Sequence, residues 1–300
     1  MTTTPIRSTI QAALGALTLL AAGVAQAGGH YVAGVEGVQA ASVPPPGMYY
    51  LGYLVNYQTD SVRAPGGETD LPGNNSIKVT ALANRFVWIT NQKVLGADYG
   101  VEAIVPLQRT KLDLGAVPLA DTRSGLGDIY LGPLVLGWHG SNWDAVAAAG
   151  LWLDNGSTDH PASPGLGHKS TMLTAGATYY FDPARSLTAS ALMRYEINGK
   201  DDTGFKPGRQ ISLEWGIGKG IGPVALGLVG YNQVQVGNDS GPGASNDKSS
   251  RSAIGAEVVY PIMSAGVFLK GAVYKEYQSQ AGTGAEPKGT LLRATLVKAF

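Results

Sequence analysis

Gly289–Phe300, the last stretch of the chain, reads GTLLRATLVKAF. Leu292, Ala294, Leu296 and Phe300 fall on one face of it, while Arg293 and Thr295 fall on the other. A period of two marks a β-strand with one apolar and one polar wall. In a soluble sandwich the apolar wall covers a core. In a barrel that crosses a membrane it faces lipid, and the polar wall faces a lumen. Lys298 interrupts the apolar face near its end, where a lysine can snorkel into a headgroup layer at small cost.

The composition narrows the possibilities. Twenty-two basic residues balance 22 acidic ones, so no net charge favours a nucleic acid partner. The absence of cysteine excludes disulfide frameworks, thiolate metal sites, cysteine-linked lipid anchors and cysteine nucleophiles. Arg7, the apolar run Leu14–Val24 and the cleavage motif Ala25, Gln26, Ala27 mark residues 1–27 as a signal peptide cut after Ala27. A transmembrane helix would need about 20 apolar residues, and no later run is that long. An exported protein of this kind can span a membrane only as a closed set of strands.

Residues 28–47 are not a clean strand. They hold His30, Glu36 and the consecutive prolines Pro44, Pro45 and Pro46, which favour an extended chain without ladder donors. They read as an N-terminal arm, either a tail or a plug that enters the lumen. The barrel follows over 48–300. Its strand-like runs lie near 48–58, 76–91, 94–107, 125–138, 142–153, 169–181, 186–198, 208–220, 222–236, 250–261, 265–278 and 289–300. A tilted crossing takes about 9–11 residues, so each run suffices. In the seventh, Leu187, Ala189, Ala191, Met193, Tyr195 and Ile197 oppose Thr188, Ser190, Arg194 and Glu196. The second is out of phase at Arg85, which calls for a bulge near Asn84.

Short turns near 92–93, 139–141, 182–185, 221 and 262–264 alternate with longer connections near 59–75, 108–124, 154–168, 199–207, 237–249 and 279–288. A soluble sandwich has no reason to keep its long loops at one end. An outer-membrane barrel does, with short periplasmic turns and long external loops. Trp138, Trp143, Tyr179, Phe181, Tyr260 and Phe300 fit an inner aromatic girdle, and Tyr57, Trp152, Tyr195 and Tyr277 an outer one. The predicted fold is all-β: an up-and-down antiparallel transmembrane barrel of about twelve strands in the cell outer membrane, preceded by the arm.

A chain ending in an aromatic residue on such a strand resembles bacterial outer-membrane barrels. The resemblance implies that the barrel-assembly machinery reads the segment ending at Phe300. Two further stretches, HYVAGVEG (30–37) running on into PPPGMYYLGYLVNY (44–57), and GLGDIYLGPLVLGWH (125–139), resemble the outer-membrane family of meta-pathway phenol-degradation proteins. This resemblance extends over the whole mature chain and brings no catalytic residues or cofactor with it. It implies passage of small hydrophobic or aromatic molecules through a non-enzymatic channel. The alternative is a closed barrel that serves as a structural or surface-displayed interaction protein.

The inward phase nominates Asp98, Glu102, Asp128, Arg194, Glu196, Glu214, Glu257, Lys270, Glu276 and Arg293 as lumen residues. Mutual pairing is one role for them. A basic wall of Arg194, Lys270 and Arg293 that contacts an anionic or phenolic solute is the sharper one. Enzymatic readings are weaker. His168 and Ser170 share a strand face but lack a nameable third member or oxyanion donor. Gly165–Ser170 lacks the Gly-Lys-Ser of a phosphate loop. The Asp- and Asn-rich stretches 154–159 and 238–247 have the composition of calcium loops and of ordinary solvated loops alike. No metal or cofactor is expected; the partners are membrane lipid and a small solute.

Overall fold

The structure, a computed structural model, describes residues 28–117 and 119–300, so the signal-peptide reading lies outside the described residues. Thirteen strands follow in order: β1 (Gly47–Arg63), β2 (Asn75–Val94), β3 (Ala97–Leu114), β4 (Leu119–Leu126), β5 (Tyr130–His139), β6 (Trp143–Trp152), β7 (Ser170–Tyr180), β8 (Leu187–Asn198), β9 (Gln210–Ile221), β10 (Val224–Gln235), β11 (Ser250–Ile262), β12 (Val267–Gln280) and β13 (Glu286–Ala299). Neighbours in the chain pair as antiparallel ladders except β4 and β5, which both pair with β3; β1 pairs with β13, and the ring is closed. Closure leaves the ring without an open sheet edge, as a hydrocarbon surrounding requires.

Setting β4 aside, twelve of the thirteen strands make the ring. β4 pairs with the outer half of β3, from Leu107 to Leu114. The strand is then interrupted at residues 127–129, and β5 follows beside the lower half of β3, from Asp98 to Ile104. β4 and β5 therefore form one interrupted stave. The expected long connection at 108–124 is mostly a hairpin that extends outward.

The β2–β3 turn sits later than expected, at Leu95 and Gly96. Both have positive φ (53° and 77°), as a two-residue hairpin turn of the primed type requires. The bulge near Asn84 is absent: β1 and β2 pair without a shift from Gly47↔Ile89 to Gln58↔Lys78. Arg85 shares the inward phase with Val79 and Val87, while Leu82, Phe86 and Trp88 face out. Arg85 needs no change of phase, because the lumen itself contains apolar side chains.

That lumen core is the main departure from a polar-in, apolar-out pattern. Tyr53, Tyr130, Trp152, Met172, Val229, Tyr231 and Tyr274 face inward and pack with Tyr31, Ala33 and Val38 of the arm. A second cluster, Val62, Ile77, Leu112, Leu114, Val117, Ala162 and Ala285, packs the outer strand ends against the β3–β4 turn and the β6–β7 and β12–β13 loops. Tyr57 and Trp152 are buried inside, so they do not belong to an outer girdle. Trp143, Tyr179, Phe181, Tyr260 and Phe300 are exposed at the inner rim. Lys298 donates to Ala265 O at 2.6 Å, so it is tethered to the turn beside it.

Leu228 lies on the outer face, half-exposed, opposite Ile217 on one side and Ala256 on the other. Replacing it with arginine should cost about 2–4 kcal/mol if it lies near the bilayer midplane. Reversible denaturant unfolding in lipid vesicles measures this, and Asn232→Arg, higher on the same outward face, should cost less.

Candidate functional site

The site is the meeting of residues 28–46 with the lumen wall. This segment has no strand partner, so its backbone donors need acceptors from side chains. Wall carboxylates supply them. Glu196 accepts from His30 N at 2.8 Å and from Tyr31 N at 3.3 Å. Glu214 accepts from Glu36 N at 3.1 Å and from the Tyr31 hydroxyl. Glu257 accepts from Val38 N at 3.2 Å, and Arg293 donates to both Glu257 and Gly34 O. In return, Glu36 of the arm accepts from Arg194 at 2.5 Å and from Arg85 at 3.1 Å. Charge-assisted bonds of this kind are roughly twice as strong as neutral ones.

The wall is shaped for the arm as well as charged for it. A Cβ at Gly227 would fall 2.2 Å from Val38 Cγ2, and one at Gly218 2.5 Å from Val38 Cγ1. Glycine at these strand positions gives up side-chain packing to leave room for a second chain. At the outer end of the arm, the His30 ring stacks on Trp152 at 5.4 Å and bonds Glu196 at 2.8 Å. Its other nitrogen lies 3.4 Å from Asp128, an ionic contact rather than a good hydrogen bond. Burial opposes charge on this ring, but Asp128 and Glu196 outweigh it and push its pKa up to about 9. Glu36 is likewise buried, yet Arg85 and Arg194 hold its carboxyl down to about 2.

Every nominated lumen residue points inward, but the structure sorts them into groups. Glu196, Glu214, Glu257, Arg194 and Arg293 hold the arm, and Asp128 meets His30 from the break between β4 and β5. Glu102 pairs with Arg85 at 2.6 Å. Glu276 accepts from the Tyr57 and Tyr231 hydroxyls, each at 2.7 Å. Asp98 lies at the inner rim with Lys93 and His139. The proposed basic wall does not exist as three free cations, because Arg194 and Arg293 are ion-paired. Among the described residues, Lys270 has no hydrogen-bond or ion-pair partner. His30, Tyr31, Glu36, Arg85 and Arg251 are site residues that the alternation did not nominate.

Two cavities flank the arm. The larger, 490 Å³, lies on its inner side; Val87, Val135, Val146, Ala148 and Leu192 make one aliphatic part of its lining, and Glu36, Arg85, Glu102, Arg194 and Lys270 a charged part. The smaller, 240 Å³, lies on its outer side beneath the external loops and reaches His168 and Glu286. Ser170 is buried and donates to Glu196 at 2.6 Å, which makes it part of the arm's socket. No group of three or more metal-ligating side chains suited to a metal ion exists among the described residues.

These features define an outer-membrane β-barrel whose lumen is occupied by its own N-terminal segment. The chain belongs to the family described as "Putative MetA-pathway of phenol degradation", whose model matches residues 59–292. Its structure is similar to that of an outer membrane channel from Pseudomonas putida F1. The TM-score is 0.76 at 15% identity, with 90% of this chain and 100% of that chain covered. The β domain of the Bordetella autotransporter Brka gives a TM-score of 0.51 at 10% identity, covering 85% of this chain and 100% of that one. At these identities the likeness is one of fold. No protein of curated function matches the chain in sequence.

Two outcomes follow from this geometry. Gly227→Ala places a methyl group against Val38 without harming a strand, so single-channel conductance should rise while the barrel still folds. The second concerns pH. Docking raises the His30 pKa from 6.5 to about 9, so its contribution is fully present below pH 6.5 and is lost as pH climbs through 9. Conductance should increase over that window in the wild type and stay flat in His30→Gln.

Proposed function

We propose that the barrel is a channel for small hydrophobic or aromatic molecules, closed at rest by residues 28–46. The observation that carries this reading is the 490 Å³ cavity, which sets an aliphatic patch of Val87, Val135, Val146, Ala148 and Leu192 beside charged groups inside a lumen of a kind that is usually polar. A cavity of that size and lining suits a single aromatic ring with short substituents. The arm blocks the path between the two cavities, so passage requires it to move. Lys270 is the one nominated cation left to meet a solute's carboxylate or phenolate oxygen, which replaces the three-residue wall. We read the chain as non-enzymatic: Ser170 is buried in the arm's socket, where its hydroxyl donates to Glu196 at 2.6 Å and lies 2.9 Å from His30 Nδ1. We also take the strand ending at Phe300 as the segment read during assembly.

The closed-scaffold alternative draws on the number of bonds that hold the arm and on the apolar cluster beneath the external loops. Solute uptake into liposomes separates the two. With the wild type, aromatics should enter faster than sugars of similar size, and deletion of residues 28–45 should accelerate both. Lys270→Gln should slow phenolic acids relative to neutral aromatics by several-fold. Absence of uptake by both the wild type and the deletion variant, with the barrels folded, would overturn the channel reading in favour of the scaffold.

A further inference from the structure

The outer wall carries a cluster of cations that the channel does not use. On β2 and β3, Lys78 lies directly opposite Lys111, and Thr80 lies opposite Arg109. All three basic residues are exposed and share the outward phase of Leu82 and Leu107, which form the next pair down. They therefore stand just above the aliphatic band, on the side of the long loops. Two residues along a strand rise about 6.6 Å, so Lys78, Arg109 and Lys111 fall within one small patch.

Like charges directly opposite one another across a ladder are unfavourable. None of the three has a hydrogen-bond or ion-pair partner among the described residues. Their neighbours on β4 are neutral, Thr122 beside Lys111 and Ser124 beside Arg109. The carboxylates on this face lie further out. Asp113 stands one row higher, and Asp60 is already paired with Lys275 at 2.5 Å. Arg63, another cation at the outer end of the wall, is likewise paired, with Asp70 at 2.5 Å.

We propose that Lys78, Arg109 and Lys111 form a binding site for a phosphorylated glycolipid of the outer leaflet. The position commits the ligand. A phosphate in the headgroup layer would sit between the three cations, with Arg109 offering a fork of donors and the lysines compact charges. The acyl chains of the same molecule would lie against Leu82, Leu107 and Leu126 below. A free phosphate would satisfy the charges and leave that aliphatic row unused.

Native mass spectrometry of the folded, full-length mature barrel tests this, using bisphosphorylated lipid A, monophosphorylated lipid A and phosphatidylglycerol as probes. The wild type should retain bisphosphorylated lipid A best. The triple variant Lys78→Gln, Arg109→Gln, Lys111→Gln should lose several-fold of that retention, with a smaller loss for the monophosphorylated form. Lys169→Gln with Lys248→Gln, which removes charge elsewhere on the same side, should change nothing. Equal retention by the triple variant overturns the proposal. So does an equal loss in the control, or an equal loss of phosphatidylglycerol, which would mean general attraction of anions. Lys111→Gln alone removes the like-charge contact and folds at least as well, so it gives the same readout if the triple variant does not fold.

Discussion

The structure depends on three wall carboxylates accepting the backbone of a chain that has no strand to pair with. Glu196, Glu214 and Glu257 take the N–H groups of His30, Tyr31, Glu36 and Val38. An extended segment without ladder partners would otherwise bury its donors unsatisfied, at about 1–3 kcal/mol for each. The carboxylates in turn need cations: Arg194 serves Glu214, Arg293 serves Glu257, and His30 of the arm itself serves Glu196. Glu36 adds the reciprocal half, an acid from the arm between two arginines of the wall. Removing one member of so buried a set strands a charge, which costs about 3–5 kcal/mol where water cannot reach it.

The wall was legible in the sequence, and its contents less so. Strand periodicity, the exclusion of spanning helices and the alternation of short and long connections point to a barrel with both ends of its wall on one side. The charged inward positions from Asp98 to Arg293 follow from the same period. Their partners do not, because a period of two specifies a face and nothing about what lies opposite. Arg293 donates to Gly34, 259 positions away, and no local pattern carries that distance. Tyr57 and Trp152 sit inside rather than in an outer girdle for a related reason. Alternation alone sends apolar side chains to lipid, yet the arm brings an apolar core into the lumen, and both residues belong to it. Arg85 was the visible clue. Its phase fits an uninterrupted strand once apolar residues are allowed to face inward.

A plug held by charge-assisted hydrogen bonds differs in kind from one held by apolar packing. When the arm leaves, water can enter and hydrate Glu196, Glu214 and Glu257, so the large penalty for a stranded charge in a dry core does not apply in full. Each charged bond then counts for about 1.5–3 kcal/mol net, and less as hydration improves. The apolar contacts of Tyr31 and Val38 with the wall weaken in the same step, and the aliphatic patch of the cavity beside them offers a hydrophobic solute an equivalent surface. A solute of that class can replace the contacts that water cannot, while water replaces those that the solute cannot. A sugar satisfies the carboxylates but leaves the aliphatic wall exposed. Division of the arm's contacts between acids and aliphatic groups is therefore itself a selectivity element, acting on whether the lumen opens as well as on what fits within it.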